Sequence, residues 1–168
     1  MAAEDILKYL NLIVDGRGYA GKIEEYNPPD LTLATEEFRG GGMDVPIDID
    51  MGLEKLTCSF VLTSYTADVL ALWGVKIGAP VQLTARGSLE SLDGTTTAVQ
   101  HQMQGKIIQL ARGTWGPGSK PSLTPTVSLR YYREVHGTRT VNEIDAVNMV
   151  RVINGVDQLA EHRANIGL

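Results

Sequence analysis

From Asp44 to Met51 the sequence changes character at every residue. Val45, Ile47, Ile49 and Met51 share one parity; Asp44, Pro46, Asp48 and Asp50 share the other. Strict period-two alternation belongs to a strand, whose successive side chains point to opposite faces, and not to the 3.6-residue period of a helix. The stretch reads as a β-ribbon with one apolar and one acidic face. Three glycines, Gly40, Gly41 and Gly42, precede it and give the backbone conformations that other residues resist. A metal site, a phosphate loop and an interface ribbon are all compatible with this pattern taken alone.

The rest of the chain favours strands as well. LNLIVDG (10–16) and YAGKIEEY (19–26) predict two strands joined by a tight Asp-Gly turn, closed off by Pro28-Pro29 because proline cannot donate to a ladder. LTLATEEF (31–38), EKLTCSFVLTS (54–64) and TVSLRYYREVHG (126–137) add further strands. VQLTARGSLESL (81–92) and TAVQHQMQGKIIQLARG (97–113) form a long hairpin around Asp93-Gly94, with a parity shift near Lys106 that predicts a bulge. Gln100, Gln102 and Gln104 share one parity and make a neutral polar face. One internal helix is expected over YTADVLALWGV, capped by Ser64 and stopped by Gly74. Val69, Leu70, Leu72 and Trp73 cover most of its circumference, so it requires burial on more than one side. A turn at Asn154-Gly155 and a short amphipathic helix over 156–165 end the chain. No linker or repeat divides it. The reading is a single domain over 1–168, mainly β (α+β), built as an antiparallel β-sandwich or small barrel with a flanking helix and an extended β-ribbon loop.

Several chemistries are disfavoured by the residues themselves. Gly16, Gly18 and Gly21 fit G-x-G-x-x-G, but a dinucleotide site needs a helix next, and KIEEYNPP leaves no room for one. Asp48 and Asp50 resemble part of a calcium loop, yet Met51 stands where a third ligand is needed. His101, His136 and His162 are dispersed without metal-ligand spacing, and no nucleophile–base pairing is visible. No catalytic, cofactor or metal residues are therefore assigned. Cys58, alone and inside an apolar run, reads as a buried inert thiol. The 20 acidic residues outnumber 15 basic ones, whereas tight nucleic-acid binders concentrate Lys and Arg. No apolar run is long enough for a membrane span, and the N-terminus MAAEDILKYLN lacks the order of a signal peptide. Assembly in a cytoplasm without membrane insertion is the resulting expectation.

Two segments carry a specific resemblance. GGMDVPIDIDMGLEKL and EIDAVNMVRVINGVDQLAEHRANIGL are similar to the signature segments of major tail tube proteins of contractile-tailed bacteriophages and R-type pyocins, and the likeness extends over nearly the whole chain. It implies a structural virion protein that stacks as hexameric rings into a tube. Such a tube lies inside a tail sheath, encloses a tape-measure protein, meets baseplate and tail terminator proteins, and conducts DNA without holding it tightly. The resemblance turns the ribbon into an intersubunit element: Gly40–Gly42 would hinge it away from its own domain, Val45, Ile47, Ile49 and Met51 would be buried on a neighbour, and Asp44, Asp48 and Asp50 would meet polar or basic groups at the rim. Gln100, Gln102 and Gln104 become candidates for the lumen. A type VI secretion-like tube protein is the alternative, though it would be expected to lack the C-terminal signature; a small metal-dependent enzyme is the remote one.

Overall fold

Strand propensity and turn chemistry divide the chain much as its alternation implies. A computed structural model describes residues 4–168; Met1, Ala2 and Ala3 of the N-terminal reading lie outside the described residues. In chain order the elements are β1 (Ile6–Val14), β2 (Arg17–Gly18), β3 (Ile23–Asn27), β4 (Leu33–Phe38), β5 (Ile47–Leu53), β6 (Thr57–Leu62) and α1 (Ala67–Leu70). There follow β7 (Val81–Glu90), β8 (Thr96–Ala111), β9 (Thr124–His136), β10 (Arg139–Asp145), β11 (Val150–Ile153), β12 (Val156–Asp157) and α2 (Ala160–Ile166). All strand pairings are antiparallel.

The main sheet runs β12-β11-β10-β9-β8-β7-β1-β2 and does not close on itself. β9 organises the molecule. Along one edge it pairs with β8; along the other, residues 126–128 pair with β6 and residues 131–136 pair with β10. The changeover falls at a bulge, where Gln104 faces Tyr131 but Gly105 faces Leu129. β6 and its partner β3 thereby turn away from the main sheet and cover it as a second, smaller layer. The core between them contains Leu12, Phe60, Leu62, Leu83, Met103, Ile107, Val127 and Tyr132, all buried. Each large apolar side chain so enclosed contributes roughly 1.5–3 kcal/mol.

Several expectations are revised. The Asp15-Gly16 turn forms, with both residues at positive φ, but the returning arm is only β2; β3 leaves to pair with β6 instead of β1. No helix follows Gly21, in keeping with the rejected dinucleotide motif. The internal helix shrinks to one turn. Ser64 does not cap it: its hydroxyl meets the Thr66 hydroxyl, and Thr66 is the N-cap residue. Val69 is buried and Leu70, Leu72 and Val75 pack on the core from successive turns, while Trp73 stays 56% exposed. Core contacts, and not helical continuity, satisfy this apolar run. On β8 the outward shift comes between Ile107 and Gln109, just past Lys106. At the C-terminus residues 156–157 extend the sheet, and the helix starts only at Ala160.

Candidate functional site

β4 and β5 form a two-stranded sheet separate from the main one. Their register pairs Phe38 with Ile47, Glu37 with Asp48, Glu36 with Ile49 and Thr35 with Asp50. Residues directly opposite on an antiparallel pair share a face, so Phe38, Ile47 and Ile49 lie on one side together with Glu36, and Thr35, Glu37, Asp48 and Asp50 on the other. The apolar side is open. Val45 is 67% exposed, Ile47 52%, Ile49 43%, Met51 61% and Phe38 50%. Leu31 and Leu33 are exposed at the root of the same arm. A folded chain normally keeps side chains of this kind in its core, and a contiguous exposed set marks an interaction surface.

The acidic side is also incomplete. Glu37 stands opposite Asp48, a like-charge pairing that destabilises an isolated hairpin. Asp50 has partners: Arg151 Nη2 donates to Oδ2 at 2.8 Å and the Gly52 amide donates to Oδ1 at 2.7 Å. The Arg151 bond, then the Gly52 bond, hold the Asp50 carboxyl below its ordinary pKa. Both Asp50 oxygens are thus occupied by donors, unlike those of a prepared calcium ligand. This ion pair fastens the root of the ribbon to β11.

The glycine triplet sits elsewhere than a hinge would. Gly40–Gly42 lie at the tip of the hairpin, in the connection from Phe38 to Ile47. Met43 N–H donates to the Gly40 carbonyl at 3.2 Å, and Gly42 has φ +92°, a left-handed value that favours glycine. Asp44 and Val45 follow in the same tip connection. The ribbon leaves the body at Pro28-Pro29 and returns through Leu53–Leu56; Glu54 N–H bonds the Thr32 carbonyl at 2.9 Å across that neck.

A second surface lies on the face of the main sheet opposite the core. Gln82 and Thr84 on β7, Gln102 and Gln104 on β8, and Tyr131 on β9 line one polar groove, and Gln100 continues the same parity. Arg130 donates weakly to Gln104 at 3.5 Å, and Arg133 pairs with Glu143 at 3.9 Å.

On the core side, the β8–β9 register produces a cluster that linear spacing hid. His101 lies opposite Glu134 and Val99 opposite His136, so His101, Glu134 and His136 converge with ligand-type atoms within 4.8 Å of one another. This corrects the picture of dispersed histidines for two of the three. Burial disfavours the His101 imidazolium and lowers its pKa, against the pull of Glu134. Burial alone would raise Glu134, but donors from His136 and Tyr132 and the nearby His101 outweigh it and keep the carboxyl below its ordinary value.

Comparison with known proteins agrees with the geometry. Residues 4–167 match the family described as phage tail tube protein FII. The chain is 31% identical to the tail tube protein of Escherichia phage P2 over the full length of both chains. It is 28% identical to the major tail tube protein of Serratia phage KSP20, covering 89% of this chain and 88% of that one. In the sheath–tube complex of an extracellular contractile injection system (PVC), a subunit shares the fold with a TM-score of 0.56 at 11% identity, over 77% of this chain and 88% of the other. A strand-built body with an unsatisfied β-ribbon, matched from end to end in this way, belongs to the phage tail tube protein family and is a structural protein of the phage tail.

Proposed function

We propose that this chain builds the inner tube of a contractile tail, as hexameric rings stacked within a sheath, with no catalytic role. The observation that carries the reading is the ribbon: Phe38, Val45, Ile47, Ile49 and Met51 are 43–67% exposed on an arm that stands apart from the main sheet. An exposed β-arm of this kind is an aggregation hazard on a monomer; laid on a neighbouring subunit, it becomes a repeating contact. The Glu37–Asp48 face then finds its cations on that neighbour. Gly40, Gly41, Gly42 and Asp44 form the tip that reaches furthest, and Asp48 and Asp50 lie along its acidic side. The Gln100, Gln102 and Gln104 face lines the bore, enclosing the tape-measure protein during assembly and passing DNA afterwards without gripping it. Sheath, baseplate and tail terminator proteins are the remaining partners.

The test combines Val45→Ser, Ile47→Ser and Ile49→Ser. Each side chain has about half its surface left to bury, worth on the order of 1 kcal/mol, and the loss recurs at every subunit contact. Circular dichroism and melting should match the parent, while electron microscopy with sheath and baseplate partners should show tubes for the parent and none for the variant. Unfolding of the variant, or tubes of normal length, would overturn the ribbon's assignment.

A further inference from the structure

His101, Glu134 and His136 face a cavity of about 260 Å³ whose other walls include Leu7, Leu10, Tyr26 and Pro28. Glu134 Oε1 is 2.8 Å from His136 Nε2 and 3.7 Å from His101 Nε2. Two ligands of a tetrahedral zinc ion, each about 2.0–2.1 Å from the metal, stand roughly 3.3 Å apart. The two carboxylate–imidazole distances straddle that value, and all three ligand atoms lie within 4.8 Å of one another, so rotamer adjustments that draw the two imidazoles together would bring them onto one ion.

The surroundings are built as well. Tyr132 Oη donates to Glu134 Oε2 at 3.1 Å and Asn142 Nδ2 donates to it at 3.3 Å, which turns Oε1 towards the two imidazoles. Tyr26 Oη lies 3.1 Å from His101 Nδ1 and 3.2 Å from Met103 Sδ. If the hydroxyl gives its single proton to the sulfur, its oxygen accepts from Nδ1–H, and Nε2 keeps a free lone pair facing Glu134. Edge-on packing of Tyr26 and Tyr132, both with ring centroids 5.7 Å from that of His101, fixes the ring. Outer partners of this kind orient a metal ligand and set its tautomer.

We propose that His101 Nε2, Glu134 Oε1 and His136 Nε2 bind one divalent transition metal of the zinc class, with a fourth position open to water from the cavity. Two neutral imidazoles and one carboxylate suit zinc, cobalt or nickel and suit magnesium or calcium poorly. The ion would tie β8 to β9 behind the polar face, independently of how the ribbon is used. The proposal is tested on the full chain stripped with a chelator and then titrated with Zn2+ by calorimetry and with Co2+ by visible absorption. One equivalent should bind, Co2+ should give the intense visible bands of a tetrahedral site, and Zn2+ should raise the melting temperature. Glu134→Gln keeps the side chain's shape, and His136→Gln alters the most exposed ligand; each should weaken binding by at least about tenfold with unchanged circular dichroism. His162→Gln should bind as the parent does. Absence of saturable binding in the parent would overturn the site and leave a hydrogen-bonded His–Glu pair. Binding retained by both ligand variants, or lost in His162→Gln, would overturn it by placing the metal elsewhere.

Discussion

A methyl group on Gly105 would collide with the Ser128 carbonyl oxygen and come within 3.0 Å of Val127 Cγ1. The glycine stands where the β8–β9 register shifts, so two central strands must part to admit a side chain. Gly105→Ala should therefore cost about 1–3 kcal/mol, as overpacked cores do, seen as a lower urea midpoint with the slope unchanged. Gly41→Ala, with nothing within 4 Å of the added carbon, should leave that midpoint where it is. The triplet's distinctive glycine is Gly42, with its positive φ. Cys58 gives a second residue-scale test. Burial pushes its thiol up to about 12, so maleimide should modify it only on unfolding, at a rate that tracks opening of the core. Its burial was legible from the apolar run around it. The meeting of His101 with Glu134 and His136 was not. It depends on the register between two strands and on the bulge at Arg130–Tyr131, which moves the inward parity of β9 from the buried Val127 and Leu129 to buried Tyr132 and the part-buried Glu134 and His136.

Elements announced by turn residues appear where the sequence puts them. Asp93-Gly94 joins β7 to β8, with Asp93 Oδ1 accepting the Thr95 amide at 2.9 Å, and Asn154-Gly155 joins β11 to β12 with both residues at positive φ. Propensity misleads where long-range contacts compete. The ADVLALW run has helical composition, but a single turn already delivers Val69 to the core. The glycine triplet suggested a neck, whereas the true neck is the double proline, and the partner of β3 lies more than thirty residues away on β6, beyond any local signal. The C-terminal helix α2 buries none of its residues and is held by side-chain bonds. Arg163 donates to Asp157 Oδ2 at 2.6 Å and to the Met149 carbonyl at 2.8 Å, and the Leu159 amide donates to Asp157 Oδ1 at 3.0 Å. The Arg163 bond leads in pulling the Asp157 carboxyl below its ordinary pKa. A depressed carboxyl contributes stability above its unfolded value of about 3.9 and loses it as pH falls through the lower folded value. Protection factors of the α2 amides, taken relative to the intrinsic exchange rate at each pH, should thus fall in acid below the unfolded value while those of the β8–β9 core persist. Asp157→Asn should show the reduced protection already at neutral pH and little further change on acidification.

At the scale of the whole molecule, charge decides what a tube of this protein can do with nucleic acid. The chain carries a formal net charge of -5. Six of its 15 Lys and Arg side chains are paired with carboxylates: Lys8 with Glu90, Arg17 with Asp68, Lys120 with Glu24, Arg133 with Glu143, Arg151 with Asp50 and Arg163 with Asp157. Exposed pairs of this sort are individually weak, but each places a carboxylate beside any phosphate that approaches its cation. Affinity for duplex DNA comes chiefly from counterions released by clustered Lys and Arg, and falls with salt in proportion to the number of phosphates neutralised. A surface with dispersed cations, part of them paired, and an acidic excess releases few. In the proposed ring the glutamine face would meet the duplex mostly with neutral amides; Arg130 and Arg133 are turned to Gln104 and Glu143, while the exposed Arg86, opposite Gln100, puts one cation on the same face. Gel shifts with the protein near physiological salt should accordingly show no sub-micromolar duplex binding. Replacing Gln100, Gln102 and Gln104 with Lys changes the net charge from -5 by +3, to -2, yet concentrates the added cations along one strand. If that face is accessible to DNA, the variant should bind with a salt dependence absent from the parent; in assembled tubes of proposed sixfold rings the cations would line the bore and should slow the passage of DNA. A parent that binds tightly, or a lysine variant that still ignores DNA at low salt, would remove the glutamine face from the lumen.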